Sequence, residues 1–356
     1  MSHPQRKVQE ISFRPCGQVE EISPKDDFYF QWHITERCNQ RCAHCYHDKY
    51  LGERELDETE MHEVAKRMLA AVEKWGRVGS FSLTGGEPFL RKRELFSIVR
   101  LLDDRDSVGY YDILTNGTLI DNESMSGLAG LKKLRRVQVS LEGASPETND
   151  KVRGKGSFEA TLAAIRRLKE AGLVVSVMTT LTKSNTHEIP DLISLLEGIG
   201  VDALAVERFV PEGQGKSMLN QGLTQAETRD VFQTIYETGR VSRPMRLLMY
   251  RPLFCLLDRD DQTVGARCSV GTNALTVLHD GTVLPCRRLP IPLGNILKDG
   301  LYKIWYDSPV LWAIRDPRNL KGKCGQCDLV PLCRGCRAVA YAYTGDYLAE
   351  DPQCWA

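Results

Sequence analysis

The sequence predicts an α/β protein whose repeated strand–helix units build a parallel sheet, open or curled into a barrel, followed by a small irregular cysteine-rich C-terminal domain. Three observations carry that expectation. Short apolar runs alternate with helix-period segments over the first 240 residues, the alternation stops near Pro244 and Pro252, and seven of the 12 cysteines fall in the last 90 residues. Repeated strand-then-helix units build a parallel sheet whose functional loops gather at the carboxyl ends of the strands.

FYFQWHI (28–34) is short, aromatic and β-branched, and reads as the first strand. LDETEMHEVAKRMLAAVEKW (56–75) sets Val64, Met68, Leu69 and Val72 on one helical face, with Asp57 or Thr59 as N-cap. VGSFSL (78–83) is the second strand, ELFSIVRLL (94–102) a helix, YYDIL (110–114) the third strand, and a short helix follows near 121–130. RRVQVSL (135–141) is the fourth strand, and SFEATLAAIRRLKEAG (157–172) is a helix closed by Gly172. LVVSVMTTL (173–181) and ALAVERF (203–209) are strands flanking a helix in HEIPDLISLLEGIG (187–200), and LTQAETRDVFQTIYETGR (223–240) is the sixth helix. The expected divisions are an N-terminal arm (1–27), the barrel core (28–240), a linker (241–265) and the cysteine-rich domain (266–356).

The 47 basic and 47 acidic side chains cancel, which argues against a phosphate-backbone binder and so against nucleic acid as partner. No apolar run approaches the roughly 18 residues of a membrane span, and the start, MSHPQRKVQEISF, lacks the apolar core of a signal peptide. A cytoplasmic protein without a membrane partner is expected. Thiols in a reducing cytosol rarely persist as disulfides, so 12 cysteines need another use. Cys38, Cys42 and Cys45 form one group, and Cys268, Cys286, Cys324, Cys327, Cys333, Cys336 and Cys354 another; Cys16 and Cys255 stand apart.

The first group, ERCNQRCAHCYH (36–47), has the spacing CxxxCxxC on a loop after the first strand. Three thiols leave two readings open: a zinc ion closed by His44 or His47, or a [4Fe–4S] cube with one open iron. LTGGEPFL (83–90) follows the second strand, and its adjacent glycines let the backbone approach a ligand while supplying unpaired N–H groups. TNGT (115–118) follows the third strand and SLEG (140–143) the fourth. Singly these are ordinary turn chemistry. Placed after successive strands, they open on the one sheet face that carries the cysteines.

CNQRCAHCY, GGEP, TNG and VSLEG, in this order, resemble the core of the radical S-adenosylmethionine (SAM) enzymes, a partial (βα)6 TIM-like barrel, over residues 28 to about 215. The resemblance implies that Cys38, Cys42 and Cys45 hold a [4Fe–4S] cluster whose open iron chelates the methionyl amino and carboxylate groups of SAM. One-electron reduction by an external donor of flavodoxin or ferredoxin type would then give methionine and a 5′-deoxyadenosyl radical. Gly85, Gly86, Glu87 and Pro88 match the loop that meets the methionine amino group, and Asn116 of the TNG motif joins the cofactor-binding set. Ser140 and Arg153 match positions that contact the methionyl carboxylate or ribose, and guanidinium suits a carboxylate. Tyr46 matches an aromatic near the adenine.

In the second group, two Cys-x2-Cys pairs could hold one zinc, but that would leave Cys268, Cys286 and Cys354 idle. The array is similar to the SPASM extension, where seven cysteines support two auxiliary clusters, making three [4Fe–4S] clusters in all. By that resemblance Cys324, Cys327, Cys333 and Cys354 ligate the distal cluster, and Cys268, Cys286 and Cys336 the near one. The Cys333-x2-Cys336 spacing is one shorter than the commonest family pattern, and the near set lacks a fourth cysteine, so its fourth ligand is Cys255, another side chain, solvent or substrate.

Sulfatase maturases of this architecture carry an aspartate where this chain has Arg287, which disfavours that activity. A peptide maturase often bears a winged-helix leader-binding domain, for which the 27 residues before the first strand are too few, so a separate peptide-recognition protein or direct recognition would replace it. GCRAVAYAYTGDYLAEDPQC (335–354) resembles the tail of the haem-pathway branch, and Arg208, Arg287 and Arg288 could meet tetrapyrrole carboxylates or acidic peptide side chains. Family frequency favours hydrogen abstraction from a peptide or protein side chain. Tetrapyrrole side-chain tailoring is the alternative, and a non-catalytic iron–sulfur electron carrier is the alternative of another class.

Overall fold

The computed structural model describes residues 27–261, 264–265 and 268–356, so Cys16 and nearly all of the expected N-terminal arm lie outside the described residues. Six strands and six helices appear where the apolar periodicity puts them. They are β1 (Asp27–His33), α1 (Glu58–Lys74), β2 (Val78–Thr84), α2 (Lys92–Asp103), β3 (Val108–Thr115), α3 (Asn122–Leu128) and β4 (Leu134–Ser140). After α4 (Pro146–Arg153) come α5 (Ser157–Glu170), β5 (Val175–Leu181), α6 (Ile189–Ile199), β6 (Ala203–Arg208) and α7 (Gln225–Gly239). The remaining elements are β7 (Arg246–Leu248), β8 (Ala274–Val277), β9 (Thr282–Leu284), β10 (Gly294–Asn295), α8 (Leu301–Asp307), α9 (Pro309–Arg315), α10 (Gly322–Gln326) and α11 (Arg337–Thr344).

Of the two N-cap candidates for α1, Asp57 takes the role. Its carboxylate accepts from Glu60 N at 2.8 Å, and the Glu60 carboxylate accepts from Asp57 N at 3.0 Å, a reciprocal capping box. Gly172 follows the end of α5 at φ +75°, the left-handed conformation that closes the helix at little steric cost. Periodicity missed α4, because PETNDKVR is polar and eight residues long. Ser145 caps it and Pro146 starts it, two local signals that could have found it.

The described strands form one sheet in the order β10-β9-β8-β1-β2-β3-β4-β5-β6-β7. From β8 through β7 every pairing is parallel, with register pairs such as Phe30↔Phe81 and Val177↔Leu204. β7 falls within the stretch 241–265 and pairs with β6. β8 adds to the free edge of β1 (Tyr29↔Ala274, Trp32↔Val277), so the cysteine-rich region is hydrogen-bonded into the barrel sheet. Side-chain packing joins the two as well. Phe28 of β1 meets Trp75 at 4.7 Å and Trp305 of α8 at 4.9 Å between ring centroids. Phe28, Phe30 and Trp32 are completely buried, each contributing about 1.5–3 kcal/mol of transfer free energy.

Candidate active site

The loops after β1 to β4 and the residues flanking β8 and β9 enclose one cavity of about 730 Å³, within the range that small-molecule sites occupy. Its wall includes Cys38, Cys42 and Cys45, then Gly85, Gly86, Asn116, Ser140 and Arg153, and also Cys268, Cys286 and Cys336. The sequence-separated motifs are therefore brought to a single space.

The first three thiols are partly or fully buried at this wall. Cys38 Sγ accepts from Gln40 N and Cys45 Sγ from His47 N, each at 3.4 Å, while Arg153 Nη1 lies 3.8 Å from Cys42 Sγ. Burial pushes the Cys38 thiol up to about 11 and raises Cys42 as well, so these groups favour the thiolate only beside a cation. Three soft ligands on one loop, with N–H donors on the sulfurs and open space beyond, fit a cluster held by three thiolates. His44 and His47, the residues that would close a zinc site, are otherwise engaged. His44 Nε2 is 3.0 Å from Glu142 Oε1, and Arg287 Nη2 is 3.1 Å from His47 Nδ1. Because a guanidinium only donates, His47 Nδ1 must accept, which leaves the proton of the neutral ring on Nε2. Burial, then Arg287, hold the His47 pKa well below its ordinary value.

The GGEP loop works differently from the expectation of free N–H groups. Gly86 N donates to Thr35 O at 2.9 Å and Glu87 N to Arg37 O at 2.8 Å, clamping this loop to the one that carries the cysteines. A Cβ on Gly86 would stand 2.3 Å from Arg37 O, and one on Gly85 2.5 Å from Thr35 O, so close backbone approach requires both glycines. Glu87 and Pro88 stand behind the wall and do not line the cavity. The Glu87 carboxylate is fully buried and accepts from Phe89 N (3.1 Å), Thr115 Oγ1 (2.8 Å) and Asn116 N (2.8 Å), joining the β2 and β3 loops. Burial outweighs these donors and pushes its pKa up to about 7. Asn116 turns its amide to Asn39 Oδ1 at 2.8 Å, on the cysteine loop.

Arg153, carried by α4, is not a solvated arginine: it is buried and donates to Glu142 Oε1 through Nη2 at 2.6 Å and Nε at 3.1 Å. Although burial pushes the Glu142 carboxyl up, Arg153 and His44 hold it down at about 2. Glu142, which pairs with both Arg153 and His44, is a residue that sequence reasoning left unassigned although the SLEG motif contains it, and His44, weighed there as a zinc ligand, lines the cavity. Tyr46 lines the cavity with Arg287 stacked 4.8 Å above its ring.

The seven C-terminal cysteines separate into two places. Cys268, Cys286 and Cys336 share the cavity wall, whereas Cys324, Cys327, Cys333 and Cys354 do not line it. Cys333 and Cys354 are buried in the main core, and Cys327 packs against that core. Cys255 joins this second set: it is buried in that core cluster, and its thiol lies near enough to that of Cys333 for the two to perturb each other. The structure therefore brings Cys255 to the set that already has four cysteines, and not to the three on the cavity. Asp351 ties the parts together. It accepts from Cys336 N (2.7 Å) and from both Arg208 Nη atoms (2.9 and 2.7 Å), and its own N–H points at Cys324 Sγ at 3.5 Å. Arg208 is thereby consumed by a buried ion pair.

Residues 32–196 match the family model of the radical SAM superfamily, and residues 268–337 that of the SPASM iron–sulfur cluster-binding domain. The AdoMet-dependent heme synthase of Methanosarcina barkeri (strain Fusaro) is 34% identical over 344 residues, which span 91% of this chain and 95% of that one. The chain belongs to the radical SAM superfamily. As a radical SAM enzyme it binds a [4Fe–4S] cluster and SAM, and its SPASM domain binds auxiliary iron–sulfur clusters. The mycofactocin maturase MftC of Mycobacterium tuberculosis (strain H37Rv) is 28% identical over 337 residues, 91% of this chain and 81% of that one. In fold, this radical SAM enzyme is similar to Streptococcus suis SuiB bound to its precursor peptide SuiA. The TM-score is 0.73 over 93% of this chain and 76% of that one, at 18% identity. Among the described residues no helix is long and apolar enough to cross a membrane.

Proposed function

We propose that this radical SAM enzyme tailors a carboxylate-bearing side chain of a tetrapyrrole in a haem pathway. The observation that carries the reading is the 34% identity to the Methanosarcina heme synthase, running through both domains and nearly the whole of both chains. The cavity supports it, because arginines line a wall that also presents Tyr46, Phe209 and Tyr250, a surface suited to a flat apolar ring with anionic arms. The reading replaces the peptide side chain favoured by family frequency.

In this reading Cys38, Cys42 and Cys45 hold the cluster that meets SAM, and Arg153, with Ser140 and Asn116, receives the cofactor's polar end. Gly85 and Gly86 present backbone between the two loops they clamp, and Tyr46 packs beside the nucleoside. Bound together and reduced by a flavodoxin- or ferredoxin-type donor, cluster and SAM supply a carbon radical able to take hydrogen from an unactivated position. The protein orients the substrate carbon and keeps water away. Cys268, Cys286 and Cys336 hold the near auxiliary cluster, and Cys324, Cys327, Cys333 and Cys354 the distal one.

Peptide modification is the second reading, favoured by the similarity to the mycofactocin maturase; a separate peptide-recognition protein would then deliver the substrate. Anaerobic incubation of reduced enzyme and SAM with an iron-coproporphyrin, followed by mass spectrometry, tests the proposal. Loss of carboxyl mass coupled to 5′-deoxyadenosine formation is expected; formation of 5′-deoxyadenosine with no change in any porphyrin offered would refute it. Cys42→Ala should stop SAM cleavage and remove about four irons per chain while leaving the auxiliary iron in place.

A further inference from the structure

The arginines at the cavity are of two kinds. Arg153 and Arg208 each own a carboxylate, Glu142 and Asp351, and the second pair is almost fully shielded from solvent. Glu207 of β6, by contrast, is shared: Arg288 Nη2 is 2.9 Å and Arg251 Nε 3.0 Å from the same oxygen, Oε2. The Arg251 contact is close but not aligned as a hydrogen bond, and Arg288 Nη1 is buried without any partner. Beside them, Arg287 has no carboxylate. It lies against His47 and Tyr46, and its Nε is also buried and unpartnered. The other carboxylate shared at this wall, Asp112, differs, since Arg135 Nε (2.9 Å), Arg135 Nη2 (2.5 Å) and Arg136 Nε (3.0 Å) all make aligned bonds to it.

Three guanidinium groups and a single carboxylate, Glu207, which pairs with two of them, thus line the same cavity. Buried donors without acceptors are costly, and a guanidinium fork is matched in shape by a second carboxylate. The thiols of Cys286 and Cys336 lie close enough to act on Arg288 electrostatically, so screening of the near auxiliary cluster is the competing role.

We propose that Arg251, Arg287 and Arg288 bind one propionate of the tetrapyrrole substrate, with Glu207 as the internal counter-ion that occupies Arg251 and Arg288 until the propionate competes for them. This assignment rests on the tetrapyrrole reading above, and it sorts the arginines by geometry: Arg208 is excluded, and Arg251, which no motif marks, is included. Binding is read through the carboxylate, so the group recognised is the anion and not the macrocycle.

The test is an absorbance titration of the anaerobically reconstituted full chain with coproporphyrin III and with its neutral tetra-amide. Wild type should bind the acid at least about tenfold more tightly than the amide, and Arg288→Gln or Arg251→Gln should weaken the acid about tenfold to a hundredfold with little effect on the amide. Glu207→Gln, which removes the internal competitor, should bind the acid more tightly; that gain cannot arise from misfolding and keeps the test decisive if an arginine variant loses iron. Wild-type binding that all three variants leave within twofold would overturn the assignment alone. The same holds if Arg288→Gln shifts only the auxiliary cluster's reduction potential. Failure of wild type to bind any porphyrin would overturn the tetrapyrrole reading and this assignment with it.

Discussion

Asp351→Asn is the substitution through which the joint between barrel and SPASM domain can be measured. Asp351 and Arg208 are 0% and 3% exposed in their side chains, and all partners of the carboxylate are donors: Arg208 Nη1 and Nη2, Cys336 N and Gln353 N. An amide has one acceptor oxygen, so at least one of these donors faces an NH2 group, and the Arg208 charge is left buried without compensation. Breaking such a pair costs about 3–5 kcal/mol, a large part of the roughly 5–15 kcal/mol that keeps a domain folded. At about 2 °C per kcal/mol for a long chain, the expected loss in Tm is about 6–10 °C, followed by circular dichroism on anaerobic holoprotein. Adding Arg208→Met should recover about 2 kcal/mol or more, since the uncompensated charge is then gone and the introduced amide oxygen can still accept from Cys336 N. Despite burial, Arg208 holds the Asp351 pKa below the ordinary value. The pair's contribution is therefore complete above about pH 4 and is lost as pH falls through the lowered value, so the gap between wild type and variant should close in acid. A Tm within 2 °C of wild type for Asp351→Asn, or a double variant less stable than the single, would refute the reasoning.

Two further outcomes follow from the geometry. Gly86→Ala drives a Cβ to 2.3 Å from the Arg37 carbonyl and 2.6 Å from that of Glu36, atoms of the main chain that cannot swing aside. A loss of about 3 kcal/mol or more is expected, together with a fall in the iron held by the adjacent cysteine loop; normal iron content and Tm would count against the clamp. His33 is fully buried with neither ring nitrogen bonded, and burial, then Arg287, hold its pKa well below the ordinary value. Below about pH 6.5 the unfolded chain takes up the proton and the folded one does not, so stability drains as pH falls. Between pH 7.5 and 5.5, His33→Phe should lose about 1 kcal/mol less stability than wild type in urea titrations, and parallel pH profiles would show that His33 has acquired a partner or solvent.

The sequence by itself determined the six βα units of the barrel and the cysteine-loop, GGEP, TNG and SLEG order, because apolar period and spacing are local properties that survive without a structure. β1 to β6 lie within two residues of the positions their apolar runs indicate. The polar helix α4 and the three-residue β7 were out of reach, since neither has enough apolar residues to show a period. Only the tertiary structure decided which charges are spent and which are spare. Arg208 and Arg288 look alike in sequence, yet one is closed off by Asp351 from the chain's far end and the other shares Glu207 with Arg251. Cys255 is set beside Cys333 for the same reason: partners separated by 78 positions are chosen by how β8 docks on β1 and how the core closes, and no spacing in the chain records that.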